Sequence, residues 1–275
     1  MLRQIERRGL SRAGLSDIFH VLMTMRLPVL LGLMALGISM MNLIFGAIYW
    51  FAGGIGGARP GNFGDAFFFS VQTFSTAGYG VFYPKTVTTN AIASVEIITG
   101  VLSTALATGL LFARLSRPQA RVMFSNIAVI HPYHGVPTLM FRAANRRRNA
   151  LTNARMTVTM IRDDTDPEGI ALRRLIDLVL ERDESPAFAL SWTVIHRITE
   201  TSPLFGLNAA ALAREHCVLL CVLTGLDDTL LATVAARHVY DHADIRFGAR
   251  LADIFDRTPD GSLAIDYTKF HDTED

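Results

Sequence analysis

Residues 76–80 read Thr76, Ala77, Gly78, Tyr79, Gly80. A loop of this kind can strip water from a cation, because backbone carbonyl oxygens turned to one side replace the ion's hydration shell. The glycines serve that geometry, since the turn needs backbone angles that residues with a Cβ avoid. The candidate ion ligands therefore run from Thr76 to Gly80. The carbonyls of Thr76, Ala77, Gly78 and Tyr79 and the Thr76 hydroxyl would face the ion, and Tyr79 would brace the loop from behind. Five residues alone are a weak signal, and the segments on either side make it specific.

Two apolar segments flank the loop. Pro28 to Phe51 carries no charged residue, and about 24 helical residues reach roughly 36 Å, enough for a hydrocarbon core of about 30 Å. Tyr49 and Trp50 close it where an aromatic belt is expected. Asn90 to Ala113 is the second span, with Glu96 its single charge and Gly100, Ser103, Ala105, Ala107 and Gly109 as small residues that let helices approach in lipid. Between the spans, Gly53 to Asn62 reads as a glycine-rich turret. Asp65 to Ser75 is a short apolar helix that re-enters the membrane and aims its partially negative C-terminus at the loop. Arg3, Arg7, Arg8, Arg12 and Arg26 precede the first span and Arg114, Arg117 and Arg121 follow the second. Arg59 and Lys85 alone lie between, so both termini are expected on the cytoplasmic side. Leu15 to Arg26 reads as an interfacial helix, broken from the first span by Pro28. No cleavable signal peptide is expected from the basic, polar first dozen residues.

Composition agrees with a mixed chain: 275 residues, 50% hydrophobic, net charge +1 and a mean hydropathy of +0.30. A membrane part of residues 28–115 follows a cytoplasmic N-terminus of residues 1–27, and a soluble domain of residues 116–275 follows that. In the soluble part, Leu139–Phe141, Met156–Ile161, Phe188–Ile195, Val218–Leu223 and Thr229–Val234 are strand-like runs. About eight short strands so spaced suggest a β-sandwich. Ser116, Arg117, Pro118 and Gln119 form the linker, with Pro118 ending the second span.

Other polar clusters have ordinary readings. Cys217 and Cys221 read as buried reduced thiols, Arg146, Arg147 and Arg148 as a solvated turn rather than a nucleic-acid patch, and His238, Asp241, His242 and Asp244 as polar residues of an extended connection rather than a metal cluster. No nucleophile elbow, phosphate loop or metal-ligand pattern points to an enzyme. Glu96 stays open between a functional carboxylate in the membrane and a structural partner behind the re-entrant helix.

Several segments together resemble the bacterial branch of the inward-rectifier potassium channels (KirBac-type). They are Ala66 to Val71, the filter loop, Thr108 to Arg114, Leu139 to Asn145 and Ser202 to Gly206, within a resemblance that runs from about Asp17 to Asp266. Potassium filters built from four Thr-Val-Gly-Tyr-Gly loops differ from this one only at Ala77. The resemblance implies a homotetramer in a bacterial inner membrane, with a two-span pore domain and a cytoplasmic immunoglobulin-like β-sandwich from each subunit. It implies permeant K⁺ and no cofactor or resident metal. Related channels commonly brace the filter with a pore-helix glutamate and an aspartate after the last filter glycine, but Gln72 and Val81 stand there. Thr104, Thr108 and Phe112 match the pore-facing row, one turn apart, and a ring of Phe112 side chains could gate by dewetting. The acids by which strong rectifiers hold internal magnesium or polyamines are replaced by Thr104, Asn153 and Thr224, so weak block is expected. Arg114 and Arg117 match positions that contact anionic lipid headgroups. Ala77, Gln72 and Val81 leave open a less selective cation channel, and a channel-derived sensor with little conduction is the other alternative.

Overall fold

The computed structural model describes residues 18–116, 118, 120–166, 168–257 and 260–274. The chain divides at Pro118 into two compact units.

In the membrane unit, α1 (Ile18–Thr24) is followed by α2 (Leu27–Ala52). The break falls at Arg26, whose backbone is extended, because Pro28 occupies the first turn of α2 and a proline disfavours helix just before it. Of the helix expected over Leu15 to Arg26, Ile18–Thr24 is seen as α1, and Leu15 to Asp17 lie outside the described residues. Then come β1 (Ile55–Gly56), α3 (Phe63–Phe74), β2 (Tyr83–Pro84) and α4 (Val87–Leu115). Helices α2 and α4 are long and apolar enough to cross a membrane. Asn62 caps α3 by accepting the Asp65 N–H, and Asp65 in turn binds the Arg59 guanidinium. Buried faces meet where the three helices pack: Asn42, Phe45, Gly46 and Tyr49 on α2, Ala66, Phe69, Ser70 and Phe74 on α3, and Thr89, Ala93, Glu96 and Gly100 on α4. Two glycines let this happen. A Cβ on Gly46 would meet the Phe67 Cα at 3.0 Å, and one on Gly100 would meet the Phe74 carbonyl oxygen at 2.2 Å.

The second unit is a sandwich of two five-stranded sheets. Its main strands are β3 (Val122–Phe124), β4 (Ala128–Tyr133), β5 (Val136–Asn145), β6 (Leu151–Thr165), β7 (Ala171–Asp177), β8 (Glu184–Phe188), β9 (Ser191–Arg197), β10 (Val218–Asp227), β11 (Ala232–Asp241) and β12 (Ile245–Phe247). One sheet runs β12-β4-β5-β3 with β9 on β5, and the other β11-β10-β6-β7 with β8 on β6. Alternate residues of β5, β6 and β10, such as Leu139, Phe141, Met156, Val158, Met160, Leu219, Cys221 and Leu223, form the shared core. Strand β5 is buried on both faces, because Ala249, Ile254 and Phe270 of the C-terminal segment pack on its outer side.

Three local expectations are corrected. Phe188 to Ile195 is not one strand: β8 ends at Phe188 and pairs with β6, while β9 begins at Ser191 and pairs with β5, so the chain changes sheets there. Thr229 to Leu231 form a turn, because the buried Asp227 carboxylate accepts the Thr229 and Leu230 N–H groups before β11 can start. Arg146 to Arg148 are not simply solvated, since Arg147 bonds Asp227 at 3.1 Å. Burial alone would raise the Asp227 carboxyl. Bonds from Leu230, Asn149, Thr229 and Arg147 hold it below the usual carboxylate range.

Candidate functional site

The filter loop follows α3 directly. Thr76, Gly78 and Gly80 have left-handed φ values of 58°, 54° and 83°, while Ala77 and Tyr79 between them do not. Such alternation turns successive carbonyls to one side. The opposite side is satisfied by the helix. The N–H groups of Ser75 and Thr76 donate to the Val71 and Thr73 carbonyls, and those of Ala77 and Gly78 to the Gln72 carbonyl at 2.9 and 3.4 Å. The N–H groups of Thr76, Ala77 and Gly78 are thus bound back to α3. A β-branched residue at positive φ is an outlier, and Thr76 is one that the sequence did not flag.

The far end of the loop is tied to the turret. Strands β1 and β2 pair, and the Lys85 N–H donates to the Gly54 carbonyl at 2.8 Å. A Cβ on Gly57 would lie 2.1 Å from the Val81 carbonyl oxygen. In the protomer Tyr79 is 77% exposed and Val81 65% exposed, so neither braces the loop from within its own subunit. The Gln72 Oε1 is buried without a hydrogen-bond partner among the described residues.

Glu96 is fully buried where α2, α3 and α4 meet. Tyr49 Oη donates to its Oε2 at 2.6 Å, and the Ser70 hydroxyl bonds its Oε1. Ser70 also contacts Asn42 Oδ1 at 3.3 Å. Glu96 is therefore turned into the packing behind α3. Tyr49 is a member of this network rather than only a belt residue. The signals for the network in the sequence were one acid and one amide, Asn42, in apolar spans.

Thr104, Thr108 and Phe112 lie on an exposed face of α4, Phe112 being 72% exposed in the protomer. The Arg114 guanidinium donates to the Leu22 carbonyl at 3.2 Å and to that of Met25. It is thereby committed to the C-terminal end of α1, where a cation is favoured. Arg117 lies outside the described residues. Asn153 and Thr224 come together on neighbouring strands at a β-bulge between β6 and β10, with Asn153 at φ 49° and Thr224 directly opposite Arg155.

Elsewhere, His238 lies within strand β11, stacked on Phe124 and edge-to-face with Tyr240, and Asp241 and Asp244 form a reciprocal cap around the turn that follows. This stretch is regular structure rather than the extended connection expected. Cys217 and Cys221 are free and buried, and burial pushes the Cys217 thiol up to about 11 and Cys221 higher still.

Two apolar helices, a re-entrant helix between them and a carbonyl-lined loop define an ion-channel pore domain, and residues 21–117 match the family model described as ion channel. Residues 122–275 match the inward rectifier potassium channel C-terminal domain. Inward rectifier potassium channel Kirbac3.1 of Paramagnetospirillum magnetotacticum is 40% identical over 98% of this chain and 92% of its own length. ATP-sensitive inward rectifier potassium channel 12 of Gallus gallus is 27% identical over 94% of this chain and 66% of its own. Inward rectifier potassium channel 18 of Homo sapiens is 28% identical over 96% and 66%. The chain belongs to the inward rectifier potassium channel family. These relatives are ion channels, a non-enzymatic family.

Proposed function

We propose that four copies of this chain form a passive potassium channel in a bacterial inner membrane, with both termini cytoplasmic. The observation that carries this is the backbone of the filter loop: left-handed angles at Thr76, Gly78 and Gly80 combined with the Thr76, Ala77 and Gly78 N–H groups bound back to α3. One loop supplies only part of an ion's shell, and four around an axis complete it. Residues 1–27, 28–115 and 116–275 serve as cytoplasmic entry, pore and cytoplasmic vestibule. Thr104, Thr108 and Phe112 line the inner path, and Phe112 is its apolar constriction.

Block by internal magnesium or polyamine is weak. Thr104, Asn153 and Thr224 put no carboxylate on the path, and Arg155 opposite Thr224 is already paired with Asp183 and Glu184. Anionic lipid acts through Arg114 and Arg117. A headgroup that draws Arg114 away from the Leu22 and Met25 carbonyls would release α1 from α4, and the expected response is inhibition.

A poorly selective cation channel is the second reading, favoured by a Gln72 Oε1 without a partner among the described residues and by Val81, which offers the filter no side-chain bond. Flux into liposomes holding purified protein, with potassium replaced by sodium, separates the two. Potassium uptake well above sodium uptake, lost in Gly78→Ala, supports the first reading. Equal uptake supports the second, and no uptake of either ion by intact tetramers overturns both.

A further inference from the structure

The filter loop lacks the carboxyl pair that related channels place beside it, since Gln72 and Val81 stand at those positions. Its height and rotation must then come from whatever holds α3, which supplies the carbonyls that bind the loop's N–H groups. Apolar packing in lipid cannot fix the rotation of a helix closely, because lipid tails are as apolar as the side chains they would replace. A directed polar contact can, because breaking it strands a polar group away from water. On α3 that contact is Ser70. It is fully buried and bonds Glu96 of α4 and Asn42 of α2, while Tyr49 of α2 bonds the other Glu96 oxygen. All three helices are thus joined at one level. Gln72, whose carbonyl receives Ala77 and Gly78, is two residues further along α3. Phe74, one turn below Ser70, is held against Gly100, where there is no room for a Cβ. The helix is pinned immediately before and after the residue that anchors the filter.

We propose that the Asn42, Tyr49, Ser70 and Glu96 network is the positioning brace of the filter, and that it sets discrimination between potassium and sodium in place of the missing carboxyl pair. Glu96 touches no ion. It acts through Ser70 and α3. A slack brace lets the carbonyl ring close on the smaller ion, so the first property lost is selectivity rather than conduction. The inference rests on the channel reading above.

The test is paired potassium and sodium flux through full-length tetramers in liposomes. Ser70→Ala and Glu96→Ala are expected to raise the sodium-to-potassium flux ratio at least about fivefold while total cation flux persists, and the double variant to add little, as members of one network do. Glu96→Gln should recover most of the discrimination lost in Glu96→Ala, because an amide offers an acceptor to Tyr49 and a donor to Ser70. Gln72→Glu combined with Val81→Asp should restore selectivity to Ser70→Ala by rebuilding the usual carboxyl pair. Where Ser70→Ala or Glu96→Ala fails to assemble, Tyr49→Phe carries the test by removing one hydroxyl, with a smaller rise of the same sign. An unchanged ratio in conducting Ser70→Ala or Tyr49→Phe tetramers overturns the brace and leaves the channel reading standing. Unmodified protein that carries no cation overturns the channel reading and the brace with it. Unmodified protein that passes both ions equally overturns the brace, because there is then no discrimination for it to set.

Discussion

The two units keep their shape by opposite means. In the cytoplasmic unit, large apolar side chains from two sheets fill one core, among them Phe141, Met156, Met160, Leu219 and Tyr240, and the drive is removal of apolar surface from water. In the membrane unit the apolar cluster is small, built on Phe45, Tyr49, Ala66 and Phe69, and most of the apolar side chains on α2 face outward. There the arrangement depends on a few hydrogen bonds and on glycines that admit close backbone approach, because the surrounding solvent is itself apolar. A small change therefore matters at different places in the two units. One added methyl group should disable the membrane unit and leave the sandwich intact. The sandwich should instead respond to lost volume, with little effect on which ion passes.

The strongest expected effect follows from Gly100. A Cβ there would lie 2.2 Å from the Phe74 carbonyl oxygen, which is backbone and cannot rotate aside. Gly100→Ala should push α4 off α3 just below the filter and cut potassium flux at least about tenfold, the cost expected where a geometry-dependent site moves by a fraction of an ångström. Circular dichroism of the β-rich unit should be unchanged. Normal flux would show that the membrane unit yields as a packed core does, and the contrast would fail.

The converse is Met160→Ala. Met160 is fully buried between the sheets, and truncating such a side chain costs about 2–5 kcal/mol. The expected outcome is a lower midpoint for loss of the β-sheet signal in urea or on heating, with an unchanged potassium-to-sodium ratio in channels that remain folded. A changed ratio would mean that the sandwich tunes the filter.

A third test sharpens what the units share. The proposed path is neutral at Thr104 in the membrane unit and at Asn153 and Thr224 in the other. If four copies enclose the proposed path, Thr104→Asp adds four carboxylates to it, where like-signed charges reinforce one another. Voltage-dependent block by internal spermine should strengthen roughly tenfold, a change of about 1.4 kcal/mol, read from current–voltage curves in planar bilayers. No gain would show that Thr104 is turned from the pore. Steep block in the unmodified protein would show that another acid lines it.

What could be read in the sequence was local. The loop, the apolar spans, the break at Pro28 and the short helix before the filter are all written in neighbouring residues, and each was found within a few residues of where it was expected. The brace was only half legible. Glu96 stands out as an acid in an apolar span, yet its partners lie 47 and 26 residues away in sequence, and no periodicity names a partner at that separation. Tyr49 has a sufficient local explanation as a belt residue, which hid its bond to Glu96. Thr76 at a left-handed angle was invisible because residue type argues against it. In the sandwich, the run from Phe188 to Ile195 is strand-like along its length, and its change of sheet is set by different pairing partners on either side of Leu190 rather than by composition.

The smallest expected effect lies in the sandwich and turns on His196. One ring nitrogen meets the Val179 carbonyl at 2.7 Å and the other the Ser202 hydroxyl at 2.7 Å. A ring that donates to a carbonyl through Nδ1 and accepts from a hydroxyl through Nε2 is neutral. Ser202 also accepts the Leu204 N–H, so His196 anchors the Ser202 to Gly206 turn. Burial lowers the His196 pKa below its ordinary value, partly opposed by the bond to Val179. The unfolded chain therefore takes up a proton at a higher pH than the folded one. The stability that the neutral ring contributes is fully present above the unfolded value of about 6.5, and it is lost as pH falls through that value toward the folded one. The melting midpoint of the sandwich in full-length protein should drop by a few degrees between pH 7.5 and pH 5. His196→Gln should melt lower at pH 7.5, yet show a flatter dependence over the same interval. An equally steep dependence in the variant would place the titrating group elsewhere. A flux ratio that followed the same pH curve would break the separation between a unit held by volume and a unit held by directed bonds.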